Sequence, residues 1–128
     1  MSQKTPKQIL GARGERLAAE YLQNKGYTIL EKNFSVHKIG EIDLIAQKGD
    51  EIVFIEVKTR TGNQYGYPEE AVDYWKAKKI SRAARHFLYL RQLDNTYVRF
   101  DIISVHIDEK NNVHTIRHNE NIPLALNY

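Results

Sequence analysis

A mixed α/β domain with the element order α-β-β-β-α-β-β is the fold class this sequence predicts, and three observations predict it. Apolar residues recur at helical spacing near the N-terminus and stop at a glycine. Short runs rich in Ile and Val follow, two of them joined by Lys48-Gly49-Asp50. A long amphipathic stretch then leads to another pair of such runs, which is the spacing of a crossover between parallel strands.

From Ile9 to Lys25, Leu10, Leu17, Ala18, Tyr21 and Leu22 share one helical face, and Gly26 closes the run. Tyr27 to Phe34 reads as the first strand, with a polar loop through Lys38. Gly40 to Gln47 and Glu51 to Arg60 form a hairpin if Gly49-Asp50 is a two-residue turn. That turn sets Lys48 opposite Glu51, Ile45 opposite Phe54, Asp43 opposite Glu56 and Glu41 opposite Lys58. Pro68-Glu-Glu opens a second helix, its acids favoured by the helix dipole, which runs to about Arg91. At about 100° per residue, Val72, Ile80, Ala83, Ala84, Phe87 and Leu90 share a broad apolar face, with Lys78, Arg82 and Arg85 opposite. Tyr97 to Ile107 is the fourth strand and Val113 to His118 the fifth, turning at Asn111-Asn112. The link from third to fourth strand predicts a right-handed parallel crossover. With no repeat or linker, residues 1–128 read as one domain, with 1–8 and 119–128 as flexible or surface tails.

Composition narrows the class. The 41% hydrophobic and 27% charged residues suit an ordinary globular chain. No apolar run exceeds four residues, against the ~20 a membrane helix needs. The N-terminus has no apolar stretch behind its charges, which argues for the cytoplasm and against a signal peptide. The absence of Cys excludes disulfides, zinc ribbons and thiol catalysis. The net charge of +3 hides two opposed populations: acids at Glu15, Glu41, Asp43 and Glu56, and a basic helix from Lys76 to Arg91.

The acidic hairpin carries the chemistry. Strand alternation puts Glu41, Asp43 and Ile45 on one face with Phe54, Glu56 and Lys58, and Ile42, Leu44 and Ala46 on the other with Val53, Ile55 and Val57. One face is expected to be core and the other charged. Asp43 and Glu56 directly opposed have Cβ atoms ~5 Å apart, which is unfavourable for like charges without a cation between them. A hard divalent ion or Lys58 would supply that charge, and Lys58 is placed to orient or deprotonate a water. The alternative is a solvated strand face of surface ion pairs.

The run Gly11-Ala-Arg-Gly-Glu15, Ala18, Tyr21-Leu22, Gly26-Tyr27, Asn33, Gly40-Glu-Ile-Asp-Leu-Ile-Ala46, Val53-Phe-Ile-Glu-Val-Lys-Thr-Arg60, Val72, Lys76 and Arg99-Phe-Asp101 closely resembles the YraN family of bacterial predicted endonucleases. That family is similar to archaeal Holliday junction resolvases, and so to the restriction-endonuclease-like fold, through an Asp on one strand and a Glu-x-Lys on the next. Here these are Asp43, Glu56 and Lys58. The resolvases also carry a helical Glu four residues after a Gly, which Gly11 and Glu15 match. The resemblance implies a Mg²⁺- or Mn²⁺-dependent endonuclease acting on DNA, with branched or otherwise structured DNA among its expected substrates. In that reading Asp43, Glu56 and Glu15 are metal ligands and Lys58 acts on the attacking water. It implies a homodimer by analogy with a two-fold junction.

Lys76, Lys79 and Arg82, on a helix that carries no acid from Lys76 to Arg91, are expected nucleic-acid contacts together with Arg60 and Gln64; the alternatives are a solvated helix face, a rim lysine at Lys76 and a helix-entry cap at Gln64. Asp101 is expected in an ion pair or turn, His114 and His118 outside any metal site, and Trp75 on a core or surface. A non-catalytic nucleic-acid-binding module or a DNA-processing accessory protein on the same fold is the alternative function.

Overall fold

Helix α1 spans Pro6–Asn24. It begins before its apolar pattern because the Thr5 hydroxyl accepts from the Gln8 N–H while the Gln8 side chain accepts from the Thr5 N–H. At its end the Gly26 N–H donates to the Gln23 carbonyl and the Tyr27 N–H to that of Leu22. This Schellman closure needs the φ of +91° that Gly26 adopts. The computed structural model describes residues 3–62, 74–93 and 95–124.

Strands β1 (Thr28–Val36), β2 (Gly40–Lys48) and β3 (Glu51–Thr61) follow, then helix α2 (Tyr74–Leu90), β4 (Tyr97–Asp108) and β5 (Val113–Asn119). The order matches the sequence expectation. The strands form one sheet in the order β1-β2-β3-β4-β5. All neighbours are antiparallel except β3 and β4, which run parallel from Glu51↔Tyr97 to Thr61↔Ile107. The predicted Pro68 start of the second helix, with Val72, lies outside the described residues. Among the described residues no helix is long and apolar enough to cross a membrane.

The two faces of the sheet differ from the expectation of one core face and one charged face, because both are covered. Against α1 pack Leu44, Ala46, Val53, Ile55, Ile103, Val105 and Ile107. Under α2 lie Ile42, Ile45, Ile52, Phe54, Phe100 and Ile102, where Phe87 meets Phe34 and Phe54 edge to face. A central strand beside a parallel crossover is buried on both sides, so its alternation of Ile with Phe or Val marks two cores. On α2, Ile80, Ala83 and Phe87 are buried as predicted, but Leu90 is 59% exposed, at the last residue of the helix.

The expected tail from residue 119 is docked as far as the chain is described. Asn119 ends β5, the Ile122 N–H donates to the Phe100 carbonyl, and Ile122 and Leu124 pack on the α2-side core.

Two glycines allow the helices their close approach. A Cβ on Gly14 would overlap Thr59 Oγ1 and fall within 2.7 Å of its Cγ2 and 2.8 Å of its Cβ. A Cβ on Gly40 would lie 2.8 Å from the Lys79 carbonyl oxygen of α2. Gly11, by contrast, meets nothing within 4 Å. A short β-branched side chain cannot swing aside, so Gly14→Ala must lift α1 from β3. We expect a loss of about 1–3 kcal/mol in thermal unfolding, partly restored by adding Thr59→Ala.

Candidate active site

The site is built where two strands part. β2 and β3 pair from Lys48↔Glu51 through Ile45↔Phe54 to Leu44↔Ile55, the register the Gly49-Asp50 turn predicts, and the ladder ends there. Beyond it β2 pairs only with β1, and β3 only with β4. The expected cross-strand pairs Asp43↔Glu56 and Glu41↔Lys58 are therefore not formed. Asp43 meets β3 through its side chain instead, its Oδ2 accepting the Val57 N–H at 2.8 Å.

An irregularity on the other side of β2 accompanies this. Lys32 pairs with Leu44 and Phe34 with Ile42, while Asn33 and Asp43 between them are unpaired, and Asn33 has a left-handed φ of +51°. The alternation slips at this point. Ile42 joins Ile45 under α2, where a regular strand would have kept it with Leu44 on the α1 side.

The fork holds a cavity of about 20 Å³ lined by Glu41, Ile42, Asp43, Ile55, Glu56, Ile80 and Phe100. That is room for a single water or ion. Burial pushes the Asp43 carboxyl up to about 6, with Glu15, Glu56 and Glu41 adding repulsion that the Val57 N–H only partly offsets. Glu15, from α1, is also raised above its ordinary value by burial and by Glu41, against a hydrogen bond from Asn33. Three chain segments thus bring Glu15, Glu41, Asp43 and Glu56 within each other's field. The Glu56 side chain is 11% exposed; its Oε1 pairs with Lys76 Nζ, and its Oε2 is buried without a hydrogen-bond partner.

A carboxylate oxygen buried without a donor, beside a second buried carboxylate whose ionised form is disfavoured, is a donor set short of positive charge. Hard oxygen ligands of this kind fit Mg²⁺ or Mn²⁺.

Lys58 stands two residues beyond Glu56 on the same face of β3 and is half-buried. Lys79 and Arg82 are exposed on α2, and Arg60 is half-buried near the end of β3. Gln64 lies outside the described residues. Lys76 reaches the cavity itself, through Glu56. Sequence reasoning assigned neither Asn33 nor the Lys76–Glu56 contact. The helical position of Lys76 within the apolar sector, four residues after Val72, called for a partner without naming it.

A second charged cluster lies on the α1 side of the sheet. Asp101 is fully buried. Its Oδ1 accepts from Arg99 Nε and the Asn121 N–H, and its Oδ2 from Arg99 Nη2 at 2.9 Å and His118 Nε2 at 2.7 Å. Arg99 also reaches Glu51, the Tyr27 hydroxyl and Glu120. Burial alone would raise the Asp101 carboxyl, but the hydrogen bonds of His118, Arg99 and Asn121 outweigh it and hold it low. Asp101, His118 and Glu120 do bring ligand atoms within 4.8 Å of one another. Both Asp101 oxygens already receive two donors and Arg99 is among them, so the cluster is an ion-pair lock and does not suit a cation.

The family model described as "Uncharacterised protein family UPF0102" matches residues 14–105. A UPF0102 protein of Caldanaerobacter subterraneus subsp. tengcongensis is 47% identical over 116 residues, covering 90% of this chain and 94% of the relative. One of Clostridioides difficile is 50% identical over 97 residues, covering 76% and 84%. One of Persephonella marina is 47% identical over 97 residues, covering 76% and 83%.

Proposed function

We propose that this chain, which belongs to the uncharacterised protein family UPF0102, is a divalent-metal-dependent nuclease that hydrolyses phosphodiester bonds in DNA. The observation that carries this reading is the unpartnered buried Oε2 of Glu56 in a cavity shared with Asp43. Like charges held together at a cost to folding make sense where a cation completes them.

Asp43, Glu56 and Glu15 would hold the metal, which supplies positive charge to the phosphate and to the attacking water. Lys58 would orient that water or, as the neutral amine, take up its proton. The exposed Lys79 and Arg82, with Arg60, carry positive charge for the strand's phosphates. Lys76 balances Glu56 in the free protein and, being 51% exposed, has the reach to turn to a phosphate when substrate arrives.

The test is incubation of plasmid, single-stranded and branched DNA with Mg²⁺ or Mn²⁺. Cleavage is expected to depend on the metal and to fall about 100-fold or more in Lys58→Ala. Undiminished cleavage by that variant overturns the role of Lys58. A non-catalytic binding module draws on one observation, that Lys76 already neutralises Glu56 without a metal. Calorimetry separates the two: Mg²⁺ or Mn²⁺ binding that depends on Asp43 and Glu56 supports the nuclease, and its absence supports the module.

A further inference from the structure

Helix α2 opens with two large aromatic side chains that are exposed. Ala77 and Ile80 press it against the sheet, while Trp75 is 69% exposed and Tyr74 48% exposed. The two rings meet edge to face, centroids 5.2 Å apart at 83°. Lys78 Nζ lies 5.9 Å from both ring centroids. Trp75, Lys78, Lys79 and Arg82 follow one another at i, i+3, i+4 and i+7, so the indole stands at the head of a basic stripe. Its neighbour Lys76 contacts Glu56, and Ile80 walls the carboxylate cavity. Trp75 is thus next in sequence to the lysine that contacts Glu56, on the helix whose Ile80 walls the cavity.

We infer that Tyr74 and Trp75 form a stacking platform for an unpaired nucleobase of the substrate strand, on the helix that walls the carboxylate cavity. This rests on the nuclease reading for its link to cleavage. The chemistry that favours nucleic acid is the pairing of an open π-face with cations spaced for phosphates. The chemistry that favours an unpaired base is steric: in a continuous duplex both faces of every internal base are covered by its neighbours, and only an unstacked nucleotide presents one to a side chain. The substrate class is then a strand, flap, gap or junction with at least one unpaired nucleotide at the cut, and the interior of a continuous duplex is excluded from the platform.

Trp75 is the only Trp in the chain, so intrinsic indole emission reports this one side chain. Protein in chelator, which prevents cleavage, is titrated with single-stranded oligothymidylate, with an abasic strand of the same length and with a blunt duplex, binding being followed in parallel by anisotropy of labelled DNA. Oligothymidylate is expected to quench the emission saturably, and the abasic strand and the duplex to leave it nearly unchanged. Trp75→Ala is expected to weaken oligothymidylate binding roughly tenfold to a hundredfold, with Trp75→Phe keeping most of the affinity. With metal present, Trp75→Ala is expected to raise KM on flapped DNA far more than it lowers kcat.

Equal quenching by the abasic strand, unchanged emission at saturating oligothymidylate, or wild-type affinity in Trp75→Ala each overturns the platform. Quenching by a wild-type protein that cuts nothing supports the platform as a binding site and counts against the nuclease reading alone. Cleavage without quenching does the reverse.

Discussion

Asp43→Asn is expected to abolish cleavage and at the same time to make the metal-free protein more stable. The carboxyl of Asp43 is pushed up to about 6 from 3.8, chiefly by burial and then by Glu15, Glu56 and Glu41. A folded-state value above the unfolded one favours folding fully below 3.8, and that contribution is lost as pH rises through 6. Near neutral pH the ionised group opposes folding, by about 2–3 kcal/mol at the tenfold-per-1.36 kcal/mol conversion. Asparagine is nearly isosteric with aspartate, its amide oxygen can keep the Val57 N–H, and it carries no charge to desolvate. Thermal unfolding of Asp43→Asn in chelator should therefore show a gain of that order over wild type, shrinking as pH falls through 6 and absent below about 4. Mg²⁺ should stabilise the wild type by mass action and leave the variant unmoved, while DNA cleavage drops by at least ~100-fold. A variant no more stable than wild type in chelator, or one that still cuts, contradicts the reading of this cavity as a site held against its own electrostatics.

Asp101→Ala should be the most damaging single change for stability. It removes the acceptor of two Arg99 nitrogens, of His118 and of the Asn121 N–H at once, from a position with no exposed surface. Arg99, at 14% side-chain exposure, and His118, at 7%, would be left with buried donors facing an empty space. Breaking a buried pair in this way costs about 3–5 kcal/mol, which urea unfolding would read as a large fall in midpoint. Because the folded Asp101 carboxyl lies below its ordinary value, its contribution is present above 3.8 and lost as pH falls through the folded value, so the gap between variant and wild type should narrow in acid. Adding Arg99→Ala should cost less than the sum of the two singles. The fraction that stays folded should keep metal-dependent cleavage, since no residue of this cluster lines the carboxylate cavity. A loss below about 1 kcal/mol would mean that the cluster is not a structural lock.

The two changes act at opposite ends of the problem. One site holds carboxylates short of donors; the other has its buried carboxylate fully satisfied. Both contain a buried aspartate next to charged neighbours, and only the donors around each tell them apart.

Local signals were enough for the element order, the Gly26 helix stop, the hairpin register from Lys48↔Glu51 to Leu44↔Ile55 and the parallel return of β4. These depend on periodicity, on a glycine able to take positive φ and on turn length, all of which act over a few residues. Strand spacing put Asp43, Glu56 and Lys58 on one face, and the resemblance added Glu15; the structure sets Glu15 and Glu56 in the field of Asp43, and Asp43 and Glu56 line the cavity. Only the tertiary structure decided where the β2–β3 ladder stops, that both faces of the sheet are covered, that Asn33 bonds Glu15 and that Lys76 pairs with Glu56. It alone joined Tyr27, Glu51, Asp101 and His118 through Arg99 and its partner. The reason is physical: backbone periodicity is set by neighbours along the chain, whereas the pairing of charges and the end of a ladder are set by which surfaces the packed helices bring together.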